Sequence, residues 1–440
     1  MRRRVFENRT KIILVIATVV MTILRFLLNE KGRVNPDSIR FMRSSSVFPS
    51  IDNTTTPLGY PLSLKFFTLF GLDEFWASKL VGILSYAFII WFAWKKKFYL
   101  KETVMTGALF SFVSIFSFTL SEPLLLPFVL VFLYVGRQII IGQLTGMKGM
   151  LYLSLMLIVM YNIRYPTLFF IGAVLLFGML NIRKTYGKTF IYSALAGFGF
   201  VLLYKFLFID YFNENYIDTF LEIGLHPTSK LLVELFQGLT TTFNPFVHIA
   251  NPAGGSLNYG IYAIGVLNIA LMVYVFIRNG LSETETFLVF SGICGILCSY
   301  FIQYFYGLTP LDYRLLNPFA FPLWLVYFRK LYQVFGRSTY MVPALSLMTG
   351  FVFIWMSHGN YLQNRRIISN YLKSERLENS AVNFYIGKEM SSEETQIAEI
   401  ISTVNPRIYL TTKPEDTLKE ATLTPHRVLS KIKIDENEFQ

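Results

Sequence analysis

The sequence predicts an all-α polytopic membrane protein with a small α/β segment at its C-terminal end. Three observations predict this. The 440 residues are 53% hydrophobic and only 15% charged, with 43 Phe and 26 Tyr, whereas a water-soluble domain carries about 25% charged residues. The apolar residues gather into about eleven runs of the roughly 20-residue length that crosses a bilayer as a helix. Near residue 358 the composition changes abruptly: the remaining stretch holds 11 Lys/Arg against 12 Asp/Glu and no long apolar run. The chain therefore divides into a membrane part, 1–357, and a soluble part, 358–440.

The apolar runs begin near Lys11, Trp76, Val104, Pro123, Gly149, Pro166, Thr189, Tyr259, Phe287, Leu315 and Tyr340. Met1-Arg-Arg-Arg precedes the first, and no small-residue cleavage site follows Leu28, so it reads as a signal anchor with a cytoplasmic N-terminus. Threading the chain from there places 18 Lys/Arg in short cytoplasmic connections and 8 in the opposite loops, in keeping with the positive-inside rule. An odd number of spans leaves the C-terminal segment outside. The net charge of +12 is thus spent on topology rather than on a nucleic-acid surface. Cys294 and Cys298, four apart in an apolar run, read as packing residues, because a helical i, i+4 pair is poorly placed for a disulfide.

Long loops on a rigid scaffold carry function, and the long connections, about 31–75 and 209–258, both lie outside. In the soluble part, 381–387 and 407–411 read as strands. Ser391 and Glu394 read as a capping box opening a helix with Ile397, Ile400 and Ile401 on one face. That segment reads first as a docking or packing module.

Candidate site residues follow from the outer face. Asp37, after Pro36, starts a short interfacial helix, where a carboxylate serves either as a cap or as a general base. A second amphipathic stretch, Tyr60 to Phe70, lies beside it. Glu122 sits in the tight turn Ser121-Glu122-Pro123, as a solvated cap or as a functional intramembrane acid. Arg164 and Arg314 stand at outer span ends, against the positive-inside trend, and offer planar donor forks suited to phosphate; snorkelling or pairing with Glu122 or Asp312 is the structural alternative. Lys205 and Asp210 are spaced to pair with each other. The stretch 244–256, with His248, has the Gly/Pro content of a flexible gate. No Walker A loop, dinucleotide fingerprint, metal-ligand cluster or nucleophile elbow is present.

In this order the pieces resemble the polytopic GT-C glycosyltransferases, the superfamily of the dolichyl- and polyprenyl-phosphate mannosyltransferases and their bacterial relatives. The resemblance runs through Asp37, PLGYPLSLKFFTLFG, FWASKLVGIL, SEPLLLPFVLVFLY, NIRYPTLFF and DYRLLNPFAFPLW, spanning 1–357. It implies a GT-C type membrane fold and an inverting sugar transfer at the extracytoplasmic face. Asp37 would be the base toward an acceptor hydroxyl. Arg314 and Arg164 would hold the donor phosphate, and Glu122, Arg40, Tyr313 and His248 would shape the sugar and acceptor pocket. The sequence departs from the commoner pair of adjacent acids, since no acid follows Asp37 before Asp52.

The reading is a glycosyltransferase with a polyprenyl-phosphate-linked sugar as co-substrate and a glycan, lipid or protein as acceptor. It implies membrane lipid as surroundings, no nucleic acid, no resident cofactor and no metal ligands, a helper divalent ion being left open. The setting is the cytoplasmic (inner) membrane. The alternatives are an oligosaccharide polymerase or ligase using a lipid diphosphate, and a secondary transporter, for which Arg25 is the nearest charge to a span centre.

Overall fold

The computed structural model describes residues 2–29, 31–51, 54–212, 227–250, 254–306, 311–378, 380–386, 392–411 and 422–423. Asp52, Ser391 and part of the 209–258 connection lie outside them. Helix α1 spans Arg2–Leu28, and Arg25 sits in its last turn rather than near its centre. The 31–75 segment folds into two short helices, α2 (Pro36–Val47) and α3 (Gly59–Thr68). Then come α4 (Glu74–Lys96), α5 (Leu100–Gly107), α6 (Phe110–Ser117), α7 (Glu122–Ile140), α8 (Gly146–Ile163), α9 (Leu168–Leu180) and α10 (Gly187–Tyr204). A π-helical turn, Lys205–Ile209, extends α10 to Phe212, and Lys205 pairs with Asp210 at 2.5 Å as its spacing suggested.

The second half holds α11 (Ser229–Thr242), α12 (Ser256–Asn279), α13 (Glu283–Tyr306), α14 (Tyr313–Phe335) and α15 (Met341–Met356). Among the described residues eight helical stretches are long and apolar enough to cross a membrane, with 313–356 counted as one. The protein is an integral membrane protein. The count differs from eleven for physical reasons. The run from Val104 is split into α5 and α6, the run from Pro166 is a shorter apolar helix, and α14 and α15 are joined by the 3-10 turn Gly336–Tyr340. Helix α13 lies hard against α14: a Cβ at Gly295 would fall 2.1 Å from the Phe319 ring. Cys294 and Cys298 are free and partly buried.

Helix α11 stops halfway. Asn268, the middle residue of α12, donates its side-chain N–H to the carbonyl of Phe243 at 2.8 Å. On α15, Ser346 donates to the Pro245 carbonyl (2.5 Å) and Thr349 to the Phe246 carbonyl (3.0 Å). Asn244 caps the turn, accepting from the amides of Phe246 and Val247 at 2.9 Å each. Non-helical backbone at membrane depth survives only where protein satisfies its polar groups, and here side chains do so. The described part of the expected gate, 244–250, is tethered rather than free. Below it, Pro245 and Phe246 roof an apolar cavity of about 390 Å³ lined by Leu267, Leu271, Tyr327 and Leu331.

The C-terminal segment contributes α16 (Tyr361–Ser374), β1 (Val382–Tyr385), α17 (Ser392–Val404), β2 (Ile408–Thr411) and β3 (Thr422–Leu423). The strands form one parallel sheet in the order β2-β1-β3, with Val382 opposite Ile408 and Phe384 opposite both Leu410 and Leu423. Ile397, Ile400 and Ile401 are buried as their spacing predicted, and Ile39 of α2 shares their core.

A polar cavity at one end of the helical bundle

The site begins in the turn after α1. The Asn29 side-chain oxygen accepts from the amides of Lys31 (3.1 Å) and Arg33 (3.2 Å). Gly32 and Arg33 are both left-handed, with φ of 62° and 58°, a conformation costly to any residue but glycine. The turn puts the Lys31 and Arg33 side chains on the wall of a cavity of about 620 Å³, within the range of small-molecule sites.

Two residues on, Asn35 caps α2. It accepts from the Ser38 amide, and the Ser38 hydroxyl accepts from the Asn35 amide, each at 3.1 Å. Because Asn35 does the capping, the Asp37 carboxylate is free for another partner, the Arg314 guanidinium at 3.2 Å. Arg314 lines the cavity and also faces Glu122 and Asp312, each at 3.8 Å. Asp312 caps α14, accepting from the Leu315 amide at 2.9 Å. Glu122 is buried at the start of α7, where Arg164 forms a second ion pair with it.

Arg33 is held differently. It is buried, donates to the Tyr313 hydroxyl at 3.2 Å and lies 3.8 Å above the Phe118 ring. Among the described residues no carboxylate lies within ion-pair distance of it. Burial lowers its pKa, yet a guanidinium stays charged at physiological pH. The Tyr313 ring meets His248 at 4.1 Å, and both line the cavity. Neither ring nitrogen of the buried His248 has a hydrogen-bond partner among the described residues. Burial, then the nearby Arg25 and Arg33 charges, hold its pKa well below the usual value, so it is a neutral ring.

The structure thus joins Asp37, Arg314 and Glu122 into one ion-pair cluster and sets Tyr313 and His248 in the cavity. Arg164 lies behind Glu122 and off the cavity lining, its charge matched by a carboxylate. Arg40 is on the exposed face of α2, because Ser38, Ile39, Phe41 and Met42 take the inward positions. The residues missed are Lys31, Arg33 and Glu399. The first two carried a readable signal, being cations in an outer loop like Arg164 and Arg314. Glu399 comes from α17, lines the cavity and pairs with Lys31 at 3.1 Å, both side chains buried. Among the described residues no group of three or more His, Cys, Asp or Glu is placed to hold a metal ion.

No protein-family model and no curated protein matches the chain. Among solved structures it is similar to the Archaeoglobus fulgidus oligosaccharyltransferase tethered to an acceptor peptide containing the NVT sequon. That match has 11% identity and a TM-score of 0.47, covering 93% of this chain and 64% of the other, so this chain spans under two thirds of that protein's length. It is also similar to ArnT from Cupriavidus metallidurans bound to undecaprenyl phosphate, with 14% identity, a TM-score of 0.43 and coverage of 94% and 90%. The apo form of that protein gives 14% identity, a TM-score of 0.40 and coverage of 92% and 86%. At such scores and identities these are similarities of the chain and not assignments of an activity.

Proposed function

We propose that the protein is a glycosyltransferase of GT-C type that moves a sugar from a polyprenyl-phosphate carrier to an acceptor hydroxyl on the extracytoplasmic face. One observation carries the reading: Arg33, a buried guanidinium without a carboxylate partner among the described residues, lines a polar cavity beside Lys31 and Arg314. Desolvated, pre-positioned cations of this kind stabilise an anion far more than surface charges do. A lipid carrier is favoured because the cavity sits at the outer ends of apolar helices.

In the reaction the bond between the anomeric carbon and the phosphate oxygen breaks, and its electron pair leaves with the phosphate. Arg33, Lys31 and Arg314 stabilise the charge that builds there, so no protonating acid is needed. The acceptor oxygen forms the new bond from the opposite face, giving inversion, and its proton passes to Asp37. Arg314 orients that carboxylate. Arg164, occupied by Glu122, holds the turn at the start of α7, and the phosphate role expected of it falls to Arg33. Tyr313 and neutral His248 supply an aromatic wall for the sugar. The Lys/Arg distribution supports a cytoplasmic N-terminus and a C-terminal segment outside the inner membrane.

The test is release of polyprenyl phosphate by the purified protein in nanodiscs, with a panel of lipid-phosphate and lipid-diphosphate sugars. Arg33→Ala should lower kcat/KM by about tenfold or more, the size of one charge-assisted contact. Asp37→Asn should lower turnover by about 10²- to 10⁴-fold while donor binding persists. Turnover only with diphosphate donors would make it a ligase or polymerase; no binding of any lipid-linked sugar would overturn the reading.

A further inference from the structure

The C-terminal segment reaches the catalytic turn at its start, middle and end. The Gly359 amide donates to the Leu28 carbonyl at 2.7 Å, where α1 ends. The fully buried Tyr361 packs against the turn so closely that a Cβ on Gly32 would stand 2.8 Å from its ring. Glu399 meets Lys31 at 3.1 Å on the cavity wall. Past the turn, Ile39 enters the isoleucine core of α17, and the Arg43 guanidinium lies 3.2 Å over the Tyr409 ring of β2.

A left-handed non-glycine residue persists only where its surroundings over-determine it, and such residues cluster at functional sites. Arg33 is one, and the charge it carries faces the cavity. A buried ion pair is a poor source of stability, because desolvation offsets most of the attraction. The Lys31–Glu399 pair is therefore better explained by where it holds the Lys31 ammonium than by tightening the fold.

We propose that Glu399 is a positioning residue for the cationic wall: it fixes Lys31 at the cavity and, with Tyr361, holds the 29–33 turn in the conformation that presents Arg33. The C-terminal segment then supports the phosphate site from behind rather than being a module docked beside it. The inference rests on the proposed donor site and names the residues that build it.

The experiment uses the full chain in nanodiscs and measures the Kd for undecaprenyl phosphate, the thermal midpoint, and hydrogen exchange of amides 31–39. Glu399→Gln, which keeps the side chain's size and removes its charge, should raise the Kd on the order of tenfold, one charge-assisted contact, and speed exchange at 31 and 33. Glu399→Asp should recover part of the affinity. Ile400→Ala, a packing change on the same helix, should lower the thermal midpoint and leave the Kd near wild type. An unchanged Kd in Glu399→Gln, or equal losses in Glu399→Gln and Ile400→Ala, overturns the inference. If the wild type binds no polyprenyl phosphate, the donor reading falls. Exchange then decides alone: faster at 31 and 33 in Glu399→Gln supports the positioning role, and unchanged exchange rejects it.

Discussion

Asp37 and Arg314, 277 residues apart in sequence, meet at 3.2 Å beside the polar cavity that Arg314 lines. The carboxylate and the guanidinium share one contact, so their effects on turnover should not add. Asp37→Asn alone should cost about 10²- to 10⁴-fold, the range for a general base. In an Arg314→Ala background the same change should cost far less, because an unheld carboxylate is already misplaced. A double-mutant cycle on kcat/KM measures this; full additivity would show that the two act separately.

Glu122 is buried between Arg164 and Arg314. Removing one member of a buried ion cluster leaves a charge uncompensated and costs about 3–5 kcal/mol. Glu122→Ala should therefore lower the thermal midpoint strongly in detergent. Adding Arg164→Leu to it should recover part of the loss, and a double variant no better than the single one would contradict the pairing.

The half-depth turn after α11 depends on two hydroxyls. Ser346→Ala frees the Pro245 carbonyl and also the Phe110 amide, which donates to the same hydroxyl at 2.8 Å. Thr349→Val frees the Phe246 carbonyl. Each unsatisfied buried group costs about 1–3 kcal/mol, so the double variant should unfold at clearly lower temperature and exchange the amides of 246 and 247 faster. Wild-type protection in the double variant would mean the turn is held by other contacts.

His248 sets a pH dependence of stability. Burial pushes its folded pKa well below the ordinary imidazole value of about 6.5. Above that value both states are neutral and pH has no effect. As pH falls below it, the unfolded chain takes up a proton that the native site refuses, and stability declines by up to about 1.4 kcal/mol per pH unit. Thermal midpoints measured between pH 7.5 and 5 should fall less steeply in His248→Gln than in wild type. Equal slopes would show that the ring protonates in place.

Much of the frame was legible because it depends on local pattern. The helix at Pro36, the isoleucine face of α17, the Lys205–Asp210 pair and the outer cations could each be read from spacing and charge. What was not legible needed distant partners. The resemblance assigns Arg40 to the pocket, and the inward packing of Ser38, Ile39, Phe41 and Met42 turns it to solvent. Glu399, one acid on an amphipathic helix, looks solvated until Lys31 meets it. Asp37 reads as a cap until Asn35 is seen to do that work. The count of spans differs where an apolar run bends or breaks, since an apolar run reports burial and not whether a helix is continuous.

A helix that turns back at mid-depth leaves half a column of the bundle unfilled. Beneath Pro245 and Phe246, residues of α12, α14 and α15 line an apolar cavity. Acyl chains of the bilayer are the medium whose chemistry matches that lining. Its packing should then follow the fluidity and thickness of the surrounding membrane.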